Sequence, residues 1–312
     1  MRWKPGRPDL GAHAARFDVP PAGPHLGVTF LGVSTLLFDD GESALMTDGF
    51  LSRPGLLRVA LGKLAPDPAR VTGALGRLGF DPLDGGRRLD AVVPVHTHFD
   101  HALDSAFVAA RTGATLVGGE SAANVGRGAG LAEDRIVVAG PGEPVSCGAF
   151  TLTMVESEHS APDRFPGSIG RPLVPPARAT AYKCGEAWSL LVEHTSGRTA
   201  LVQGSAGYTP RALGGRRADV AYLGVGQLGH RGEGHIRAYW RETVETVGAR
   251  RVVLVHWDDF FRPLDEPPRA LPFTHDDLDA TLHVLARLAH EQHVQLHLPT
   301  VWRREDPWSG LG

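Results

Sequence analysis

Short apolar runs, broken by Gly, Pro, Asp and Ser, recur along this chain. Val28-Thr29-Phe30-Leu31, Thr35-Leu36-Leu37-Phe38 and Ser43-Ala44-Leu45-Met46-Thr47 read as three strands of a meander, with Asp39-Asp40-Gly41-Glu42 as a turn. Residues 90–95, Asp-Ala-Val-Val-Pro-Val, form a nearly continuous apolar run, which marks a buried strand. A helix is expected over 102–111, a strand over 115–117, and a second helix from a Ser121 cap to residue 128. Strands follow at 135–138, 144–147 and 150–156. Residues 188–193 and 199–203 read as a hairpin around Ser196-Gly197. Then come a strand at 219–223, a helix over 236–247, a strand at 251–255, a helix over 276–290 and a strand at 294–298. Residues 1–25 read as an extended arm. Residues 52–90 read as a loop region on the substrate side with a short helix near 55–64, and 160–179 as a Pro/Arg-rich loop. This order predicts an α/β sandwich with helices outside two sheets. No linker or solenoid repeat divides the chain, so residues 1–312 are expected to form one domain.

Composition narrows the class. Of 312 residues, 42% are hydrophobic and 21% charged, ordinary for a soluble globular protein. The formal net charge of −3 does not suggest a nucleic-acid or anionic-membrane partner, since either favours a basic surface. No apolar run approaches a transmembrane span, and the N-terminal residues do not read as a secretory signal. Two cysteines, Cys147 and Cys184, give no disulfide framework and read as ordinary partly buried thiols, so a reducing cytoplasm is expected. Abundant Arg, Gly and Pro read as the imprint of a GC-rich genome.

The chemistry concentrates where the buried strand ends. His96-Thr97-His98-Phe99-Asp100-His101 places four ligand-type side chains in six residues. In a loop after a strand end several of them can converge, and imidazole nitrogens with a carboxylate suit zinc, and also iron or manganese.

This HxHxDH pattern resembles the signature of the metallo-β-lactamase superfamily. The resemblance extends from about residue 27 to residue 256, including Phe30-Leu31-Gly32-Val33-Ser34-Thr35 and Thr47-Asp48-Gly49 in the first strands. These segments are closer to lactonase-like and phospholipase-D-like members than to antibiotic-degrading ones. It implies a four-layer αββα sandwich. It also implies that His96 and His98, completed by His159 after strand 150–156, hold one metal ion. Asp100 and His101, completed by His256, hold a second. The family's bridging Asp is replaced: Ser205 stands in its place in Gln203-Gly204-Ser205. A neutral hydroxyl bridges two cations poorly, so the second ion is expected to bind weakly, with Asp258 or Asp259 as the nearest substitute acid.

A metal with three protein ligands leaves a position for water, whose pKa falls from about 15.7 towards 7. The expected activity is hydrolysis of an ester, lactone or phosphodiester, with Asp100 orienting the hydroxide or taking its proton. His230, after the strand at 219–223, is the candidate to protonate a leaving group. Arg164, Arg171 and Arg178 are candidates to meet an anionic substrate. His235, His275, His283, His290, His293 and His297 are read as peripheral to the site. Expected partners are a small-molecule substrate and no nucleic acid, with self-association left open. Two competing readings are an iron-bound oxidoreductase on the same fold and a non-catalytic metal-binding protein.

Overall fold

The computed structural model describes residues 4–311. Its strands are β1 (Gly27–Phe30), β2 (Leu36–Asp39), β3 (Ala44–Thr47), β4 (Ala91–Val93), β5 (Thr115–Gly118), β6 (Ile136–Val138), β7 (Pro144–Cys147), β8 (Phe150–Ser157), β9 (Ala187–His194), β10 (Thr199–Gln203), β11 (Val220–Gly224), β12 (Arg251–Val255), β13 (Gln295–His297) and β14 (Arg304–Glu305). Its α-helices are α1 (Leu56–Leu61), α2 (Pro68–Leu78), α3 (Phe99–Ala102), α4 (Ser105–Thr112), α5 (Glu120–Gly128), α6 (Glu233–Trp240) and α7 (Leu278–Glu291).

The strands form two seven-stranded sheets, ordered β14-β1-β2-β3-β4-β5-β6 and β13-β12-β11-β10-β9-β8-β7. Each sheet is antiparallel at one end and parallel at the other. β1 to β3 alternate in direction and β3 to β6 run parallel. Likewise β7 to β10 alternate and β10 to β13 run parallel.

Side-chain alternation with a period of two explains the layering. Leu36 and Phe38 of β2, Leu45 of β3 and Ala91 and Val93 of β4 point between the sheets, against Phe150, Leu152 and Leu190. Their neighbours Leu37, Met46 and Val92 point the other way, against Val71 and Leu75 of α2 and Val108 of α4. Ile236 and Trp240 of α6 and Leu282 and Leu285 of α7 cover the second sheet. Each fully buried Leu or Val adds about 1.5–3 kcal/mol. The result is the expected αββα sandwich.

Several expectations change in detail. The stretch from 52 to 90 is not all loop, because α2 occupies eleven of its residues. Asp67 caps α2 by accepting from the Ala69 and Arg70 amides, Pro68 opens it, and Gly79 closes it at φ 78°. The N-terminal arm is not simply extended: Leu10–Arg16 is a 3₁₀ helix. Beyond it, Leu298 N–H donates to the Arg16 carbonyl and Ala22 N–H to the Arg304 carbonyl, fastening the arm to the C-terminal segment. Ser121 does not cap α5. Gly119 holds that position, and the Ser121 hydroxyl instead accepts the Ile169 amide. The two-residue β14, unanticipated, closes the edge beside β1.

Candidate metal centre

β4 stops because Pro94 has no N–H to continue the ladder. The chain then turns, with Val95 N–H donating to Asp48 Oδ1 (2.9 Å) and the Trp188 N–H donating to the Val95 carbonyl. Thr97, between the first two histidines, is anchored away from them. Its amide donates to the Cys184 carbonyl (2.8 Å) and its hydroxyl to the Lys183 carbonyl (2.6 Å). His98 then precedes α3, whose first turn carries Asp100 and His101. His159 follows β8 and His256 follows β12, so the carriers are all carboxyl ends of strands at one edge of the sandwich.

All six predicted ligand residues meet there. Ligand atoms of His96, His98 and His159 lie within 4.8 Å of one another, as do those of Asp100, His101 and His256. The two sets are contiguous: the His96 and His101 rings lie 3.8 Å apart between centroids, and those of His101 and His256 5.3 Å. Asp100 Oδ2 sits 3.7 Å from His101 Nε2 and 3.4 Å from His256 Nε2.

The donor set fits a divalent transition metal. His96 Nε2 and His98 Nδ1 are 3.1 Å apart. Two nitrogens sharing one tetrahedral ion at about 2.0–2.1 Å stand about 3.3 Å apart. The far ring atoms are anchored so that the near ones face inward. His159 Nδ1 bonds the Ser160 carbonyl at 2.8 Å, and His101 Nδ1 lies 2.9 Å from Asp48 Oδ2, leaving Nε2 of each ring for an ion. Burial lowers the pKa of His96, further depressed by its neighbouring imidazoles. Burial also lowers His98 and brings His159 down to about 4, which favours the neutral, metal-binding form. Burial alone would raise Asp100, but His101, His256 and His98 hold its carboxylate well below the usual range. For His101 burial opposes the charge, yet Asp48 and Asp100 raise its pKa.

Three residues near the cluster were not anticipated as parts of the site. Asp48, at the end of β3 with φ 54°, is fully buried and accepts from the Ser34 hydroxyl (2.6 Å) and the Val95 amide besides facing His101. Asp163 Oδ1 lies 3.2 Å from His98 Nε2. A ligand atom of buried Cys184 is within 4.8 Å of both. The Thr47-Asp48-Gly49 turn was visible in the sequence. Nothing local marked Asp163 or Cys184, which fall in an irregular segment.

Other expectations are corrected. Ser205 does reach the cavity, but its hydroxyl accepts the Ser160 amide at 2.9 Å and so braces the His159 loop. Neither Asp258 nor Asp259 substitutes for a bridging acid. Asp258 accepts the Val33 amide (2.8 Å) and pairs with Arg53 (2.5 Å), while Asp259 pairs with Arg7 and Arg269. His230 does not line the cavity. Its turn, Leu228–His230, packs on the start of α7, where a Cβ on Gly229 would fall 2.1 Å from the Asp277 carbonyl oxygen. His275, read as peripheral, does line it.

The cavity over the cluster measures about 330 Å³. Phe99, Phe165, Phe260, Phe261, Leu56 and Val59 supply apolar walls, and Arg164 and Arg178 line it as well. Arg171 does not.

An αββα sandwich with a His/Asp cluster at its strand ends defines the class, and the chain belongs to the beta-lactamase superfamily. The family model described as "Beta-lactamase superfamily domain" matches residues 68–257. Among solved structures, Igni18, a metallo hydrolase from Ignicoccus hospitalis KIN4/I, aligns at TM-score 0.50 and 15% identity, covering 90% of this chain and 96% of its own. A protein from Veillonella parvula DSM 2008, titled a possible metal-dependent hydrolase, aligns at 0.54 and 15% identity, covering 88% and 97%. CmlA, a diiron β-hydroxylase from Streptomyces venezuelae, aligns at 0.53 and 14% identity, covering 91% of this chain and 54% of CmlA. Identities this low establish a shared fold alone. No curated protein matches the chain.

Proposed function

We propose that the chain is a metal-dependent hydrolase that cleaves an ester, lactone or phosphodiester bond in a small-molecule substrate. The observation that carries this reading is the convergence of five imidazoles and the Asp100 carboxylate, of which His98, His159, His256 and Asp100 line a largely apolar cavity. In this reading His96, His98 and His159 hold a zinc ion, and Asp100, His101 and His256 hold a weaker second one. When bound, zinc supplies positive charge that acidifies water towards a pKa of about 7 and polarises the scissile group.

The chain's own residues do the rest. Asp100, kept ionised between His101 and His256, orients the attacking water by accepting a hydrogen bond from it. Phe99, Phe165, Phe260 and Phe261 exclude bulk water and hold the apolar part of the substrate. Arg164 and Arg178, with no carboxylate partner among the described residues, meet an anionic group. Residues 1–312 act as one unit in this reading, since the ligands come from strand ends of both sheets.

The test is elemental analysis of protein purified without added metal, followed by assays with an ester, a lactone and a phosphodiester. Zinc near one equivalent, turnover abolished by chelation and restored by zinc, and loss of both metal and turnover in His98→Ala are expected. An iron-bound oxidoreductase is the competing reading, favoured by the fold shared with a diiron hydroxylase and by donors that also suit iron. Iron in place of zinc, with oxygen consumption and no hydrolysis, would decide for it.

A further inference from the structure

The short helix α1 is apolar on both sides. Leu56, Val59 and Ala60, spaced three and four apart, line the cavity. Leu57 and Leu61, four apart on another face, are 78% and 77% exposed, and Leu56 remains 49% exposed at the mouth. A surface helix ordinarily turns polar residues outward, and one that is apolar all round is normally covered. The loop beside it shares the property. Leu64 and Ala177 pair through both backbone hydrogen bonds, joining the α1 segment to the 164–185 loop, where Val174 is 66% exposed. Four of the six most exposed large hydrophobics among the described residues lie in these two segments.

Charge follows the same boundary. Residues 54–66 contain Arg58 and Lys63 and no acid, and residues 164–185 contain Arg164, Arg171, Arg178 and Lys183 and no acid. Among the described residues none of these six cations has a carboxylate within ion-pair distance, whereas arginines elsewhere, such as Arg53, Arg111 and Arg269, are paired. The chain's net charge of −3 therefore conceals two basic segments, of which Arg164 and Arg178 line the cavity. Leucines that project into water on segments carrying unpaired cations match a surface with an apolar interior and anionic headgroups.

We propose that the lip formed by Leu57, Leu61 and Val174, with the cations Arg58, Lys63, Arg164, Arg171 and Arg178 of the same segments, docks the protein on an anionic phospholipid surface. The leucines enter the headgroup–acyl boundary and the cations meet the phosphates. The cavity, with Leu56, Val59 and Arg178 in its wall, then opens onto that surface. Docking does not depend on the hydrolase reading, because it needs no metal and no turnover.

The experiment is co-sedimentation with vesicles of equal parts phosphatidylcholine and phosphatidylglycerol, and with phosphatidylcholine alone. The protein is expected to partition onto the mixed vesicles, weakly or not at all onto phosphatidylcholine, and less as salt rises. Leu57→Asp with Leu61→Asp is expected to lower partitioning about tenfold or more, because two leucine insertions are lost. Arg171→Glu is expected to weaken it further. None of these three side chains lines the cavity, so the melting temperature and turnover of a soluble ester should stay at the parent's values. Absence of binding to the mixed vesicles overturns the proposal, as does binding unchanged by the double substitution. A dimer in lipid-free gel filtration that the double substitution dissolves, with no vesicle binding, would assign the lip to a second copy of the chain instead.

Discussion

Asp48 shows how much one carboxylate does at this site. At φ 54° it holds a backbone conformation that non-glycine residues seldom adopt, and it takes the Ser34 hydroxyl, the Val95 amide and the His101 ring at once. Val33, Arg53 and His256 share positive φ values of 51°, 47° and 60°, so backbone strain gathers around the cluster. Ser205 is the counterpart, a residue too short and neutral to bridge. Ser205→Asp should raise bound metal from about one towards two equivalents per chain, read by elemental analysis after dialysis, and unchanged stoichiometry would show that the second site lacks more than a bridging acid. Asp276 makes a different prediction. Both its oxygens are buried, and burial pushes its pKa up to about 7, with the Gln227 and Asp277 amides only partly offsetting it. The unfolded carboxyl ionises near pH 4, so folding takes up a proton between about pH 4 and 7, and stability is lost as pH rises through that window. A tenfold change in proton affinity between the folded and unfolded chain corresponds to about 1.4 kcal/mol. Asp276→Asn, which carries no charge, should therefore gain in melting temperature relative to the parent between pH 5 and pH 8. A difference independent of pH would refute the assignment.

Elements deliver the ligands, and small residues let them approach. The His159 loop lies against the turn after β10, where a Cβ on Gly207 would fall 2.2 Å from the Glu158 carbonyl oxygen and 2.7 Å from the His159 carbonyl carbon. Both are backbone atoms and cannot swing aside. Gly207→Ala should push His159 out of register and reduce metal affinity about tenfold or more in a chelator competition. Gly234→Ala, in α6 with open space around its Cβ, should leave affinity unchanged and stability unchanged or slightly higher. If both variants keep parental affinity, the close approach at Gly207 does not position His159.

Across the whole molecule, the buried Arg53–Asp258 pair joins the segment after β3 to the segment after His256. Arg53 also donates to the Arg262 and Asp259 carbonyls. Arg53→Met would leave the Asp258 carboxylate buried and unpaired, at a cost of about 3–5 kcal/mol. A fall of roughly 10 °C in melting temperature is the expected outcome, and a shift of a degree or two would mean that the pair adds little. The order of strands up to β13, the hairpin and the HxHxDH cluster were legible in the sequence, and the resemblance it carries pointed to the two later histidines. Alternation and turn chemistry are local, and a ligand motif at a strand end fixes its own neighbourhood. α2 was missed, although Asp67-Pro68 and Gly79 bound it, because the Gly, Pro and Arg content around it hid the signal. Tertiary structure alone decided the rest. Asp48 at His101, Asp163 and Cys184 at His98, the diversion of Asp258 and Asp259 into arginine pairs, and the removal of His230 from the cavity all depend on segments far apart in the chain meeting in space. Net charge likewise averaged away the two basic segments, because a sum over residues carries no record of where the chain gathers them.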